Sequence, residues 1–121
     1  MAISPHTEAP NLHADMRDLK WSQAEKIIAR KAFDHALRRE LEEIFQKTKQ
    51  MAAKIEQPSD LWKLESFLTK RRNEIDCKYD YRYSVLPIVF GVLVREGRID
   101  VEELHGLTEE KLGYIRRAAK F

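Results

Sequence analysis

The sequence predicts an all-α protein, with a long antiparallel helical stem that forms a dimer and a small C-terminal helical head. Three observations carry this. No proline or glycine interrupts the chain between Trp21 and Pro58. The run DLWKLESFLTKRRNEIDCKY over residues 60–79 has helical apolar spacing, with Leu61, Leu64, Phe67, Leu68, Ile75 and Tyr79 gathering on one face. Beyond it, short apolar and capped segments are punctuated by Gly97 and Gly106, in a chain that has only four glycines and four prolines.

Residues 1–20 mix Pro5, Pro10, His6, His13 and scattered charges without periodicity, and they read as a flexible arm. Order is expected from Trp21, because Ser22 with Glu25 has the spacing of a capping box. The helix that starts there has room for roughly 35 residues, about 50 Å at the usual rise. Phe33, Leu37, Leu41, Ile44, Thr48, Met51 and Ile55 form one stripe along it. Ala24, Ile27, Ile28 and Ala32 lie largely on a different face, so the two ends should pack against different things. A compact globule of this size is only about 35 Å across. An overhanging amphipathic helix needs a partner, most commonly a second copy of the same chain.

Pro58-Ser59-Asp60 breaks the pattern, with Ser59 or Asp60 as the next N-cap, and a second helix returns antiparallel to complete a stem over residues 21–82. The head is expected over residues 83–121. Val85, Leu86, Ile88, Val89, Phe90, Val92, Leu93 and Val94 are apolar on every side of a helix, which implies burial all round, with Pro87 tolerable in its first turn. Gly97 ends that helix. Asp100 with Glu103 repeats the capping-box spacing for a short helix that Gly106 stops, and Thr108 caps the last one. Glu109 and Glu110 in its first turn, with Arg116, Arg117 and Lys120 in its last, match the helix dipole. Three short helices wrapped on the buried one are expected to make the head.

One residue in the second helix is misplaced. Trp62 points away from the apolar stripe, among Glu65, Ser66, Thr69, Arg72, Asn73 and Asp76. A helix with a full apolar stripe and a large aromatic on its polar face serves its own fold on one side and another chain on the other. Trp62 has three possible fates: a dimer interface or its rim, packing on its own first helix, and full exposure as a contact for a different protein. Tryptophan and arginine are enriched among interface anchors, which favours the first.

Composition narrows the function. Lys plus Arg number 22 against 20 Asp plus Glu, a net charge of +2. This balance argues against a dedicated nucleic-acid binder. Cys77 is the single cysteine, which excludes an internal disulfide and a cysteine-built metal site and suits a reduced, cytoplasmic setting. The longest charge-free stretch, 83–94, is too short to span a bilayer, and no secretory leader pattern opens the chain.

The motifs that could carry chemistry have simpler readings. His6, His13, His35 and His105 are far apart and lack metal-ligand or nucleophile-activating spacing. Glu42-Glu43 and Glu102-Glu103 sit in ordinary charged helix faces, and there is no glycine-rich phosphate loop. No enzymatic activity, cofactor, metal or small-molecule substrate is expected. Lys70-Arg71-Arg72 with Lys78 and Arg82 could attract phosphate or RNA, but Glu65, Glu74, Asp76 and Asp80 are interspersed, so ion pairs are the better reading. Tyr79, Tyr81 and Tyr83 alternate where stem meets head and are expected to pack there.

Taken in order and spacing, Trp21-Ser22-Gln23-Ala24-Glu25, Arg39-Glu40-Leu41, Asp60-Leu61-Trp62-Lys63-Leu64, Phe67-Leu68, Arg72, Glu74-Ile75-Asp76, Lys78-Tyr79-Asp80, Arg82, Ser84-Val85, Phe90 and Glu96-Gly97 resemble the fluorescence recovery protein family. The resemblance implies an all-helical dimer with a stem and a small head, acting without cofactor or covalent chemistry. It implies binding to the C-terminal domain of the photoactivated orange carotenoid protein, faster red-to-orange relaxation and an end to phycobilisome fluorescence quenching. By position, Trp62 and Arg72 fall on the functional dimer face, with Glu65, Ser66, Thr69, Asn73 and Asp76 beside them, and Ile88 and Phe90 are the expected partner contacts on the head.

Some of these positions differ from what the family tends to carry. Glu65-Ser66 stand for His-Asp, Asn73 for a histidine, Cys77 for a glycine, Tyr81 for an aspartate, Tyr83 for a glutamine and Ile88 for an aromatic. Changed charge and hydrogen bonding on a contact face can end one partnership while the fold survives. The alternative expectation is therefore a divergent adaptor with a different protein partner and no activity on the carotenoid protein.

Overall fold

The computed structural model describes residues 16–121, all of them in helices, turns or loops. Most of residues 1–20, the expected arm, lies outside the described residues. Its last part does not hang free: Met16 is buried and its carbonyl accepts from Leu19 N–H.

Helix α1 runs over Gln23–Ala53, 31 residues against the roughly 35 expected. Its start is the predicted capping box: Glu25 N–H donates to Ser22 Oγ at 3.1 Å, and Ser22 N–H to Glu25 Oε1 at 3.0 Å. Residues 54–57 turn the chain into α2, Pro58–Lys78. The expected N-cap was Ser59 or Asp60, but the cap is Gln57. Pro58, with fixed φ and no N–H to satisfy, takes the first helical position, and Asp60 Oδ2 reaches back to accept from Glu56 and Gln57 N–H at 3.0 and 3.1 Å. Contacts of α2 with α1 run in opposite order along the two helices, Leu68 beside Leu41 and Ile44, Arg71 on Glu40, so the stem is an antiparallel hairpin as expected.

The head contains α3, Leu86–Arg95, a 3-10 turn over Val101–Leu104, and α4, Glu109–Ala119. Two short helices, not three, surround α3. Asp100 and Thr108 cap as predicted, and Gly97 and Gly106 carry φ of 75° and 108°, which L-residues rarely adopt. Where α3 and α4 cross, a Cβ on Gly91 would collide with Ala118 Cβ and lie 2.9 Å from the Ile115 carbonyl, so only glycine allows this approach.

The third side of the head is α1 itself. Ala29, Ala32, Phe33 and Ala36 join Leu86, Val89, Phe90, Leu93, Ile99, Leu104, Leu107 and Ile115 in one core. The two ends of α1 therefore do pack against different things. Its first half belongs to the head core, and only its second half is stem.

Aromatic rings fill the junction. Phe33 meets Tyr79 and Tyr81 edge-on at 5.4 and 4.9 Å between centroids, Tyr81 meets Tyr83 at 5.6 Å, and Tyr83 meets Trp21 at 5.4 Å. Arg30 stacks over Tyr81 at 4.4 Å. The three tyrosines thus form the expected packing between stem and head.

Candidate protein-binding site

Helix α2 supplies no fully buried residue, although it spans 21 positions. Two facing helices meet along a single line, so a lone hairpin covers only a strip of each apolar face. Trp62 is 66 % exposed, and Glu65, Ser66, Thr69, Arg72, Asn73 and Asp76 are exposed around it on one strip of the helix. Glu65 Oε2 accepts from Thr69 Oγ1 at 2.9 Å. Arg72 Nε lies 3.9 Å from Asp76 Oδ2, both side chains largely in solvent, an arrangement that contributes little to folding.

The opposite, apolar face of α2 is open as well. Leu61 and Leu68, assigned from spacing to the inner stripe, remain exposed. Beside them an apolar groove of about 630 Å³ follows α1, lined by Leu37, Leu41, Ile44, Phe45, Thr48 and Leu68 among others. Phe45 is 58 % exposed, with Lys49 Nζ 4.8 Å from its ring centre. Within one chain the apolar face of the arm is left open and Trp62 on its polar face is uncovered. A contiguous apolar strip of this kind marks a protein-binding surface.

On the head, the two expected contacts separate. Phe90 shares the inward face of α3 with Leu86 and Leu93 and has no exposed surface, so it is a core residue and not a contact. Ile88 points the other way and is half-buried. With Cys77, Val85, Val89 and Val92 it lines a groove of about 700 Å³ between α3 and the end of α2. The all-round burial expected of α3 is therefore incomplete on this side.

The largest feature that sequence reasoning missed is Glu40, whose side chain is 1 % exposed. Its Oε2 accepts from Arg71 Nη2 and Lys78 Nζ, both at 2.8 Å; its Oε1 accepts from Tyr79 Oη at 2.8 Å and lies 3.1 Å from Arg98 Nε. Glu96 Oε1 bridges Lys78 and Arg98 at 2.7 and 2.9 Å. Burial works to raise the Glu40 pKa, but the hydrogen bonds from Lys78 and Tyr79 and the charges of Lys78 and Arg98 outweigh it and hold the carboxyl below its ordinary value. A signal was available, because position 40 lies on the stripe between Phe33 and Ile44, where a carboxylate is out of place without buried cations.

The basic run is paired in part, with Lys70 exposed and Arg72 only loosely near Asp76. Arg71 pairs with Glu40 and Glu74, Lys78 with Glu40 and Glu96, Arg82 with Asp80. A second buried pair, Lys111 with Glu25 at 3.1 Å, ties α4 to the start of α1, and Lys111 Nζ also donates to the Lys20 carbonyl. Of the paired carboxylates, Glu43 and Glu103 are held by Arg98 and Arg39. Among the described residues no cluster of histidine, cysteine, aspartate or glutamate is placed to hold a metal ion, and no helix is long and apolar enough to cross a membrane. His6 and His13 lie outside the described residues.

Residues 21–119 match the family described as photoprotection regulator fluorescence recovery protein. A curated relative, the fluorescence recovery protein of a Synechocystis species, is 43 % identical over 100 residues, which cover 83 % of this chain and 92 % of the relative. The solved structure of the Fremyella diplosiphon fluorescence recovery protein has a TM-score of 0.81 at 39 % identity, covering 84 % of this chain and 100 % of that one. The Synechocystis structure gives 0.81 at 42 % identity, with the same coverage. With an all-α fold, a family match over residues 21–119 and 43 % identity to a curated member, the chain belongs to the fluorescence recovery protein family of photoprotection regulators.

Proposed function

We propose that this protein is a non-enzymatic homodimeric regulator in the cytoplasm, one that binds the photoactivated orange carotenoid protein through its C-terminal domain, speeds its red-to-orange relaxation and so ends phycobilisome quenching. The observation that carries this reading is family membership across residues 21–119. The physical support is the open arm, with apolar Leu41, Phe45, Leu61 and Leu68 on one side and Trp62 on the other. A second copy packs against the arm and covers the Trp62 strip as well as the apolar side. Trp62, Arg72 and their neighbours Glu65, Ser66, Thr69, Asn73 and Asp76 lie in or beside the shared surface, and Ile88 in the head groove is a contact for the partner.

No covalent chemistry or cofactor is needed for such work. A regulator accelerates relaxation of another protein by binding the barrier state more tightly than the activated state, and each tenfold in rate needs about 1.4 kcal/mol of that difference. The test is to mix the two proteins and follow the absorbance decay of the red form. Acceleration supports the reading, and an unchanged rate with this protein in excess contradicts it.

One observation favours a second reading. Glu65 accepts from Thr69, and with Ser66 it moves the strip's carboxylate one position from where the family tends to carry His-Asp. This suits an adaptor for a different protein partner. Affinity capture from extract of the source cells distinguishes the two, since recovery of only the carotenoid protein counts against the adaptor.

A further inference from the structure

We propose that Glu40 is the pin of a latch that sets the angle between the α2 arm and the head. Three separate parts of the chain converge on its one carboxylate: α1, which carries it; the end of α2 and the residue after it, through Arg71, Lys78 and Tyr79; and the loop after α3, through Arg98. Glu96 repeats the connection from the head side by bridging Lys78 and Arg98. Arg98 is fixed in turn, because its carbonyl accepts from Arg39 Nη1 at 2.8 Å and its own Nη1 reaches Glu43 at 3.1 Å. The anion therefore sits where stem, arm and head meet.

Within one chain the other restraints on the arm are the partial apolar packing of Leu68 and Ile75 on α1 and the Tyr79 ring against Phe33. None of the arm's residues is buried, whereas the head has a closed core of its own that includes the first half of α1. Polar contacts with strict geometry break over a short displacement, unlike broad apolar packing, so a charge cluster at the pivot gives two arrangements, latched and free. The consequence is functional. Trp62 on the arm and Ile88 on the head keep a fixed separation only while the latch is closed, whatever the identity of the partner that reads them.

The experiment is hydrogen exchange, by mass spectrometry, on the full-length protein and its Glu40→Gln variant. Helices in proteins owe most of their stability to tertiary packing, so release of the arm appears as faster exchange of its amides. The expected result is a rise of about tenfold in exchange across residues 58–78, with exchange of α3 and α4 changed by less than threefold. A rise in the arm of less than threefold overturns the proposal, as does an equal rise in arm and head, which means Glu40 is only a general stabiliser. If Glu40→Gln does not fold, Arg71→Met, which leaves Glu40 three of its four donors, is judged by the same criterion.

Discussion

The head and the arm are built from the same kind of helix yet differ in what completes them. In the head, α3, α4 and the first half of α1 close around Leu86, Phe90, Leu93, Leu104 and Ile115, all buried. In the arm, α2 packs on the second half of α1 and buries none of its residues. The lesson is that helical periodicity marks a face that will be covered without saying by which chain. The head face is covered by its own sequence. The arm face is left open by its own sequence.

The difference can be broken most severely from the head side. Phe90→Ala should cost about 3–5 kcal/mol, because it empties a volume that α1, α3 and α4 enclose rigidly, and chemical denaturation followed by circular dichroism measures it. A loss under about 1 kcal/mol would mean that the head is not a closed core.

Acid acts on the seam between the regions, through Glu40 and Glu96, and within the head, through Glu25. Burial raises the Glu25, Glu40 and Glu96 pKa values, but their hydrogen bonds outweigh it: to Ser22, Lys111 and Thr108 at Glu25, to Lys78 and Tyr79 at Glu40, and to Lys78 and Arg98 at Glu96. All three carboxyls are held below their ordinary values. Groups with lowered folded pKa values contribute stability that is fully present above the ordinary carboxylate range and is lost as pH falls through their folded values. The denaturation midpoint should therefore be flat near neutrality and fall on acidification. Glu40→Gln should flatten that fall.

Substitutions on the arm surface should leave protomer folding almost untouched. Trp62→Ala is expected to change the stability of the head by no more than about 0.5 kcal/mol while weakening self-association about tenfold, read by dilution in sedimentation. The smallest effect belongs to Arg82→Ala. Its pair with Asp80 is exposed, so the denaturation midpoint should not move measurably.

Much of this architecture was legible in the residues. Ser22 with Glu25, Asp100 with Glu103, and Thr108 have one plausible local structure each, and the structure shows it. The cap of α2 was misread because Ser59 and Asp60 are good cap residues, whereas Pro58 fits the first helical turn better. At Phe90 the apolar pattern, which implies burial, agrees with the structure, and the partner contact implied by the resemblance does not, because α1 and α4 enclose that side of α3. Glu40 was legible only as an oddity on an apolar stripe. Its meaning depends on Arg71, Lys78 and Arg98, which are 31 to 58 positions away and brought together only by the fold. The exposure of Leu61 and Leu68 was unreadable for a related reason, since spacing cannot tell one's own chain from a copy.

The claim that a second copy completes the arm is tested most directly by sedimentation equilibrium of the intact protein beside Phe45→Glu, which places a charge in the open apolar groove. The expected result is a mass twice the 14.3 kDa of the chain for the intact protein and a shift toward the single-chain mass for the variant. An intact protein that stays at the single-chain mass throughout the micromolar range would contradict it.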